Sequence, residues 1–285
     1  TWCSPASVNV TGTRSSVSGM AADHPTHPDI ALCDGAFYAG DPDPLYAWMR
    51  ANAPVYWDQA GGVWGMTRYH DLKAVERDPR TFSNAGGIRP DSGPLPMMID
   101  MDDPEHTKRR KLVNKGFTPK RVRDLEAEIR AACTEILDAV CERGECDLVH
   151  DVAAPLPMIL IGDMLGVRPE HRADLLRWSD DMVRSQSGSA TDEMIGAAAT
   201  AYGEYTAYAT EVIQTRRECP ADDLMSILVH AEVDGDRLAD DEVLHESLLI
   251  LVGGDETTRH VMSGGIAELV RNPDQLARLR AEPEA

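Results

Sequence analysis

The chain has 285 residues, 42% hydrophobic but only 5% aromatic, with a formal net charge of −20. That supports one large domain or two small ones, with Leu, Val, Ile and Met filling the core. The charge excludes general attraction to nucleic acid or anionic lipid, and no stretch approaches the ~18 apolar residues of a membrane span.

The opening residues, TWCSPASVNVTGTRSSVSG, lack the apolar run of a signal peptide. Residues 1–28 read as an unstructured extension, with Met20 as a candidate natural start. Pro, Asp and His make residues 21–44 a loop. PLYAWMRAN, residues 44–52, reads as a short amphipathic helix. VYWD and GVWGMTRY flank Gly61-Gly62 as the two strands of a hairpin. Asp71 then caps a helix that ends at Asp78-Pro79. From Ser83 to Asp102 the chain is dense in Gly and Pro, and loops of this length often carry function. Met97, Met98 and Met101 either line an apolar pocket or anchor this loop to the core.

Asp103-Pro104 marks a helix start. The segment EHTKRRKLV that follows puts His106 and Arg110 one turn apart on one face. Two donors so placed suit a carboxylate or phosphate; a solvated basic face is the alternative. From Lys108 to Arg123 there are eight Lys or Arg and no acid. Thr118 to Arg143 reads as one long amphipathic helix stopped by Gly144. DLVHDVAAPLPMILIGDMLGV holds the most apolar segment, with Pro155 and Pro157 near its start and Gly166 at its close. Residues 170–186 and 192–217 form two more helices, separated by a flexible Ser187-Gly188-Ser189. LMSILVHA is a short helix, and the Asp-Gly of EVDGDRL suggests a small hairpin.

Residues 248–270, LLILVGGDETTRHVMSGGIAELV, organise the rest. Apolar residues at helical spacing flank a polar knot. With Asp240 and Asp241 at the start and Asn272-Pro273 at the stop, the stretch predicts one helix of about 30 residues, on the order of 45 Å long. Gly253 and Gly254 weaken helix by roughly 1 kcal/mol each. Thr257 can bond back to the carbonyl of Gly253, and Glu256 is costly to bury alone. Such broken local rules gather at functional sites. The alternative is two helices, with Gly254 ending one and Asp255 capping the next.

The six cysteines (3, 33, 133, 141, 146, 219) form no C-x-x-C and no zinc pattern. They read as free thiols in a reducing cytoplasm. The chain stops at LRAEPEA, within or just after a helical pattern, and reads as a piece of something longer. The expected fold is mainly α, with a few short strands near the N-terminus.

The order of an Asp-Pro-opened H-x-x-x-R helix and a long helix centred on GGDETT resembles the cytochrome P450 superfamily of haem-thiolate monooxygenases. DMDDPEHTKRRKLVNKGFTPKRV is similar to its propionate-binding helix, and GGDETT to its oxygen-activating motif. SNAGGIRP, LPMMIDMDDP, AVCERGECDLV and APLPMILIGDMLGVRPE are most similar to actinobacterial sterol side-chain hydroxylases, which oxidise the terminal methyl of cholesterol or cholestenone. The resemblance covers about Ala31 to the end and implies that residues 29–285 are the N-terminal portion of a single cytochrome P450 domain.

On that resemblance the cofactor is haem b, with propionates held by His106 and Arg110. Gly253 and Gly254 would let dioxygen lie against the helix, Thr257 would hydrogen-bond it, and Glu256 would relay protons. Asp255 would face away and stabilise neighbouring structure. Met97, Met98 and Ile99 would border a greasy substrate. Lys108, Arg109, Lys111 and Lys115 would receive an acidic ferredoxin-type electron donor. The family's ligand cysteine and E-x-x-R helix have no counterpart here, so no cysteine is assigned to iron. This chain alone is expected neither to bind haem through a thiolate nor to turn over. Glu256 replaces the aspartate commoner in bacterial members. Fatty acids, terpenes or macrolides are the alternative substrates, and a helical nucleic-acid-binding regulator is the alternative class.

Overall fold

A computed structural model describes residues 7–8, 24–90, 93–186 and 190–282. It is mainly α with a few short strands, as the sequence predicts. The chain divides into two compact units, Thr1–Arg110 with Ser185–Asp192, and Lys111–Arg184 with Glu193–Ala285.

The first unit contains β1 (Ser7–Val8), α1 (Gly35–Ala39), α2 (Asp43–Asn52), β2 (Val55–Asp58), β3 (Val63–Met66) and α3 (Tyr69–Glu76). The strands form an antiparallel sheet in the order β1-β3-β2. The expected hairpin is present, with Val55 opposite Met66 and Asp58 opposite Val63. Its turn is set by chemistry. Gly62 sits at φ +65°, where glycine has no steric cost. The buried Asp58 accepts from the N–H groups of Ala60 at 3.0 Å, Gly61 at 3.1 Å and Leu32 at 2.7 Å. Ile30, Phe37, Met49, Ala53 and Tyr56 form the core behind it.

Three expectations need adjustment here. Most of the extension read as unstructured lies outside the described residues, but the backbone of Ser7–Val8 pairs with β3. The loop predicted for residues 21–44 contains α1, because Asp34 accepts from the Ala36 N–H at 2.9 Å and caps it. Asp71 lies in the first turn of α3 rather than at its cap, which is Arg68; there its charge still favours the helix N-terminus.

The second unit is built of α5 (Pro119–Asp124), α6 (Glu126–Cys141), α7 (Pro155–Met164), α8 (Arg172–Arg184), α9 (Asp192–Glu218) and α10 (Leu224–His230). There follow the hairpin β4 (Glu232–Val233) and β5 (Asp236–Arg237), then α11 (Asp240–Arg271) and α12 (Pro273–Ala281). The boundary between units falls inside α4 (Glu105–Val113). The single helix predicted from Thr118 to Arg143 is two, α5 ending at Asp124 and α6 starting at Glu126, although Leu125 between them stays helical and keeps its bonds to the Arg121 carbonyl at 3.2 Å and from the Ile129 N–H at 2.9 Å. Gly144 at φ +74° and Gly166 at φ +71° follow α6 and α7, the left-handed position that glycine takes past a helix end. Asp234 and Gly235, both at positive φ, make the predicted Asp-Gly turn. The connector 187–189, expected from its sequence to be flexible, lies outside the described residues.

α11 is one unbroken helix of 32 residues, so the one-helix reading holds over two helices. It packs on α7, α8 and α10. Val243, Leu244, Leu248 and Leu251 are buried in its first half. Tyr205 of α9 shares a hydrogen bond of 2.7 Å with Ser247 there. In the second half Met262 packs against Ala132, Ile136, Val152 and Leu156, while Val261 is 73% exposed and Val270 67%. The five described cysteines are free thiols. Among the described residues no helix is long and apolar enough to cross a membrane.

Candidate active site

The middle of α11 places unlike residues on neighbouring faces, each about 100° from the last. Gly253, Thr257 and Val261 share one face. A Cβ added at Gly253 would meet nothing within 4 Å. The Thr257 hydroxyl donates to the Gly253 carbonyl at 2.6 Å, the back-bond that its position predicts. With its one hydrogen so used, Thr257 presents acceptor lone pairs outward.

Thr257 is exposed on this chain, because α7, α8 and α10 pack against the other flanks of α11. Gly254, expected beside Gly253 at the cofactor, is rotated toward α7. A Cβ there would lie 2.5 Å from Cδ1 and 2.9 Å from Cγ1 of Ile161. Its lack of a side chain serves helix packing.

Asp255 points away from Thr257 and is fully buried. Its Oδ2 accepts from Arg259 Nη2 at 2.6 Å. Arg259, its side chain 11% exposed, also donates through Nη1 and Nη2 to Oδ1 of Asp180 on α8, at 3.1 Å each. Burial pushes the Asp255 carboxyl up from 3.8 to about 6; Arg259 opposes the shift, and Glu256 and Asp180 add to it. Glu256 is loosely held. One oxygen lies 3.5 Å from Arg259 Nη1 and the other 3.7 Å from Nδ1 of the exposed His260. Arg259 and Asp180 were not singled out from sequence. The i, i+4 spacing of Asp255 and Arg259 was a usable signal; Asp180, 79 residues distant, gave none.

α4 carries the second set of candidates. The His106 N–H donates to the Asp102 carbonyl at 2.9 Å and that of Lys108 to Pro104 at 3.1 Å, so the helix grows from the Asp-Pro start as read. Asp103 accepts from the Thr107 hydroxyl and lies 4.0 Å from Nδ1 of the half-buried His106. Arg110 is exposed and has no hydrogen-bond or ion-pair partner among the described residues. Lys108 pairs with Glu105 at 3.1 Å; Lys111 and Lys115 are exposed and Arg109 half-buried. His106, Lys108, Arg109 and Arg110 belong to the first unit, Lys111, Lys115 and the α11 residues to the second.

The long loop before α4 is organised by two aspartates that sequence reading passed over. Asp100, buried, accepts from the N–H groups of Ile88 at 3.0 Å and Leu95 at 2.7 Å. Asp102 accepts from the Ser83 hydroxyl and from the Asn84 N–H, and those bonds hold its carboxyl below the usual range. Met97 is thereby buried, Met98 half-buried and Ile99 37% exposed.

The family model described as Cytochrome P450 matches residues 97–285. A steroid C26-monooxygenase of Mycobacterium tuberculosis is 56% identical over 257 residues, which cover 90% of this chain and 64% of that protein. One from Mycolicibacterium smegmatis is 52% identical over 258 residues, with the same coverage. Among solved structures, CYP109E1 of Bacillus megaterium in complex with testosterone superposes with a TM-score of 0.76. It is 32% identical and is matched over 86% of this chain and 64% of its own. The chain thus spans about 64% of the length of the curated relatives it matches.

Proposed function

This chain belongs to the cytochrome P450 family, and from that premise we propose that it is part of a haem-dependent monooxygenase acting on a sterol. The reaction is hydroxylation of the terminal side-chain methyl of cholesterol or cholest-4-en-3-one, with dioxygen and with electrons from an acidic ferredoxin. What carries the substrate is the high identity, spread over most of the chain, to two proteins named steroid C26-monooxygenase.

The family implies a haem iron cofactor, and the donor chemistry present here suits it. Arg110, unpartnered among the described residues, and His106 one turn before it offer donors to two propionate carboxylates. When bound, the haem supplies the iron at which dioxygen is reduced and a C–H bond oxidised. The protein's part is positional. Gly253 leaves room beside the helix. Thr257, its proton committed to Gly253, offers lone pairs to a protonated group on that side. Glu256, loosely held near the exposed His260, is suited to passing protons from solvent. Met97, Met98 and Ile99 border an apolar substrate. Lys108, Arg109, Lys111 and Lys115 favour an acidic partner on a chain otherwise of net charge −20.

Spectral titration of the full-length, haem-loaded enzyme tests the substrate. Cholest-4-en-3-one should shift the haem absorbance at lower concentration than lauric acid; the reverse order would overturn the sterol reading. In the full-length enzyme, Thr257→Ala should keep consuming reductant while diverting oxygen to peroxide, and Thr257→Ser should restore coupling. Unchanged coupling in the alanine variant would refute the role given to Thr257.

A further inference from the structure

Asp180, Asp255 and Glu256 each offer a carboxylate oxygen, and these oxygens lie within 4.8 Å of one another. Three acids so close invite a cation, and the chain already supplies one. Arg259 reaches all three, by hydrogen bonds to Asp180 and Asp255 and by charge alone to Glu256 at 3.5 Å. A metal ion would have to displace a tethered guanidinium, so the cluster is not a cation site.

The inequality of those contacts is informative. Asp180 on α8 and Asp255 one turn back fix the guanidinium. Glu256 feels a positive charge that cannot follow it. At about 100° per residue, the order around α11 runs Asp255, Arg259, Glu256, His260, then Gly253 and Thr257. Glu256 is therefore the acid on the flank between the buried anchor and the exposed threonine face. It sits within reach of either side.

We propose that Arg259 is a positioning residue for Glu256, a fixed charge that draws the carboxylate toward α8 and sets how readily it swings to Thr257. This rests on the reading of Glu256 as the proton-passing acid. The anchor is strong and the tether weak. Glu256 can leave Arg259 by giving up a long electrostatic contact, with no hydrogen bond to break. Asp180 acts one step further back, by holding Arg259 in place.

The test follows the carboxyl carbon resonance of Glu256, identified by its loss in Glu256→Gln, in the intact chain at neutral pH. Arg259→Gln and Asp180→Asn should each move it, and Arg259→Lys should bring it part of the way back. Arg271→Gln, at an exposed pair elsewhere on α11, should leave it in place. Lowered melting temperatures with an unmoved resonance would make Arg259 a structural tie only and overturn the proposal; if Arg259→Gln fails to fold, Arg259→Lys and Asp180→Asn decide it. In the full-length, haem-loaded enzyme, the solvent isotope effect on kcat should rise in Glu256→Gln and Arg259→Gln and fall back in Arg259→Lys. No change in Glu256→Gln, with the resonance still moving on Arg259→Gln, would sink the proton-passing reading and leave the positioning intact. A change in Glu256→Gln with neither signal responding to Arg259 would sink the positioning and leave that reading.

Discussion

Two flanks of α11, within two turns of each other, use the same residue types for opposite ends. On one flank Gly254 lets α7 approach and Asp255 is sealed under Arg259. On the other Gly253 faces open space and Glu256 is only steered by charge. A glycine and an acid are spent on holding the helix in place, and a second glycine and acid are left out of that packing. What separates the roles is rotation about the helix axis, not residue type.

The buried flank should break hardest. Arg259→Leu strands Asp255 and Asp180 without their cation and should cost about 3–5 kcal/mol in denaturant unfolding, the range for half of a buried pair removed. A loss below that of an exposed pair such as Arg271 with Glu268, under about 1 kcal/mol, would show that the anchor carries nothing. The raised carboxyl of Asp255 gives the next effect. Its folded-state value, about 6, lies above its usual 3.8, so the folded chain binds the extra proton between those limits. Its contribution is therefore fully present below pH 3.8 and lost as pH rises through about 6, a change of about 2–3 kcal/mol by linkage. Unfolding free energy measured against pH, wild type minus Asp255→Asn, should fall across that window. A flat difference would mean that the pair with Arg259 outweighs burial.

Much of this was legible early. The span of α11, its acidic start and its Asn-Pro stop are local signals, as are the β2–β3 hairpin and the Thr257 back-bond. The H-x-x-x-R spacing on α4 likewise needs only helix geometry. What stayed hidden depends on contacts far along the chain. Ile161 decides what Gly254 is for, and Asp180 decides what Arg259 is for; no periodicity reports either. The division at Leu125 stayed hidden for a different reason, since the residue keeps helical angles and its bonds to Arg121 and from Ile129.

The remaining two substitutions oppose the glycines directly. Gly254→Leu pushes a side chain into Ile161, whose Cγ1 as well as its tip must move, and should cost about 2 kcal/mol as overpacking does. Gly253→Ala should do the reverse. Its methyl meets nothing within 4 Å, so the chain gains the helix propensity that glycine forfeits, about 1 kcal/mol, read as a higher denaturant midpoint. That gain is the argument for why Gly253 is there: packing does not require it, and stability is better without it. If the exposed face serves dioxygen, the same methyl crowds the space beside Thr257, and the variant should be more stable as this chain yet lose coupling in the full-length, haem-loaded enzyme. A Gly253→Ala chain that is less stable would place Gly253 with Gly254 on the packing side and erase the difference between the flanks.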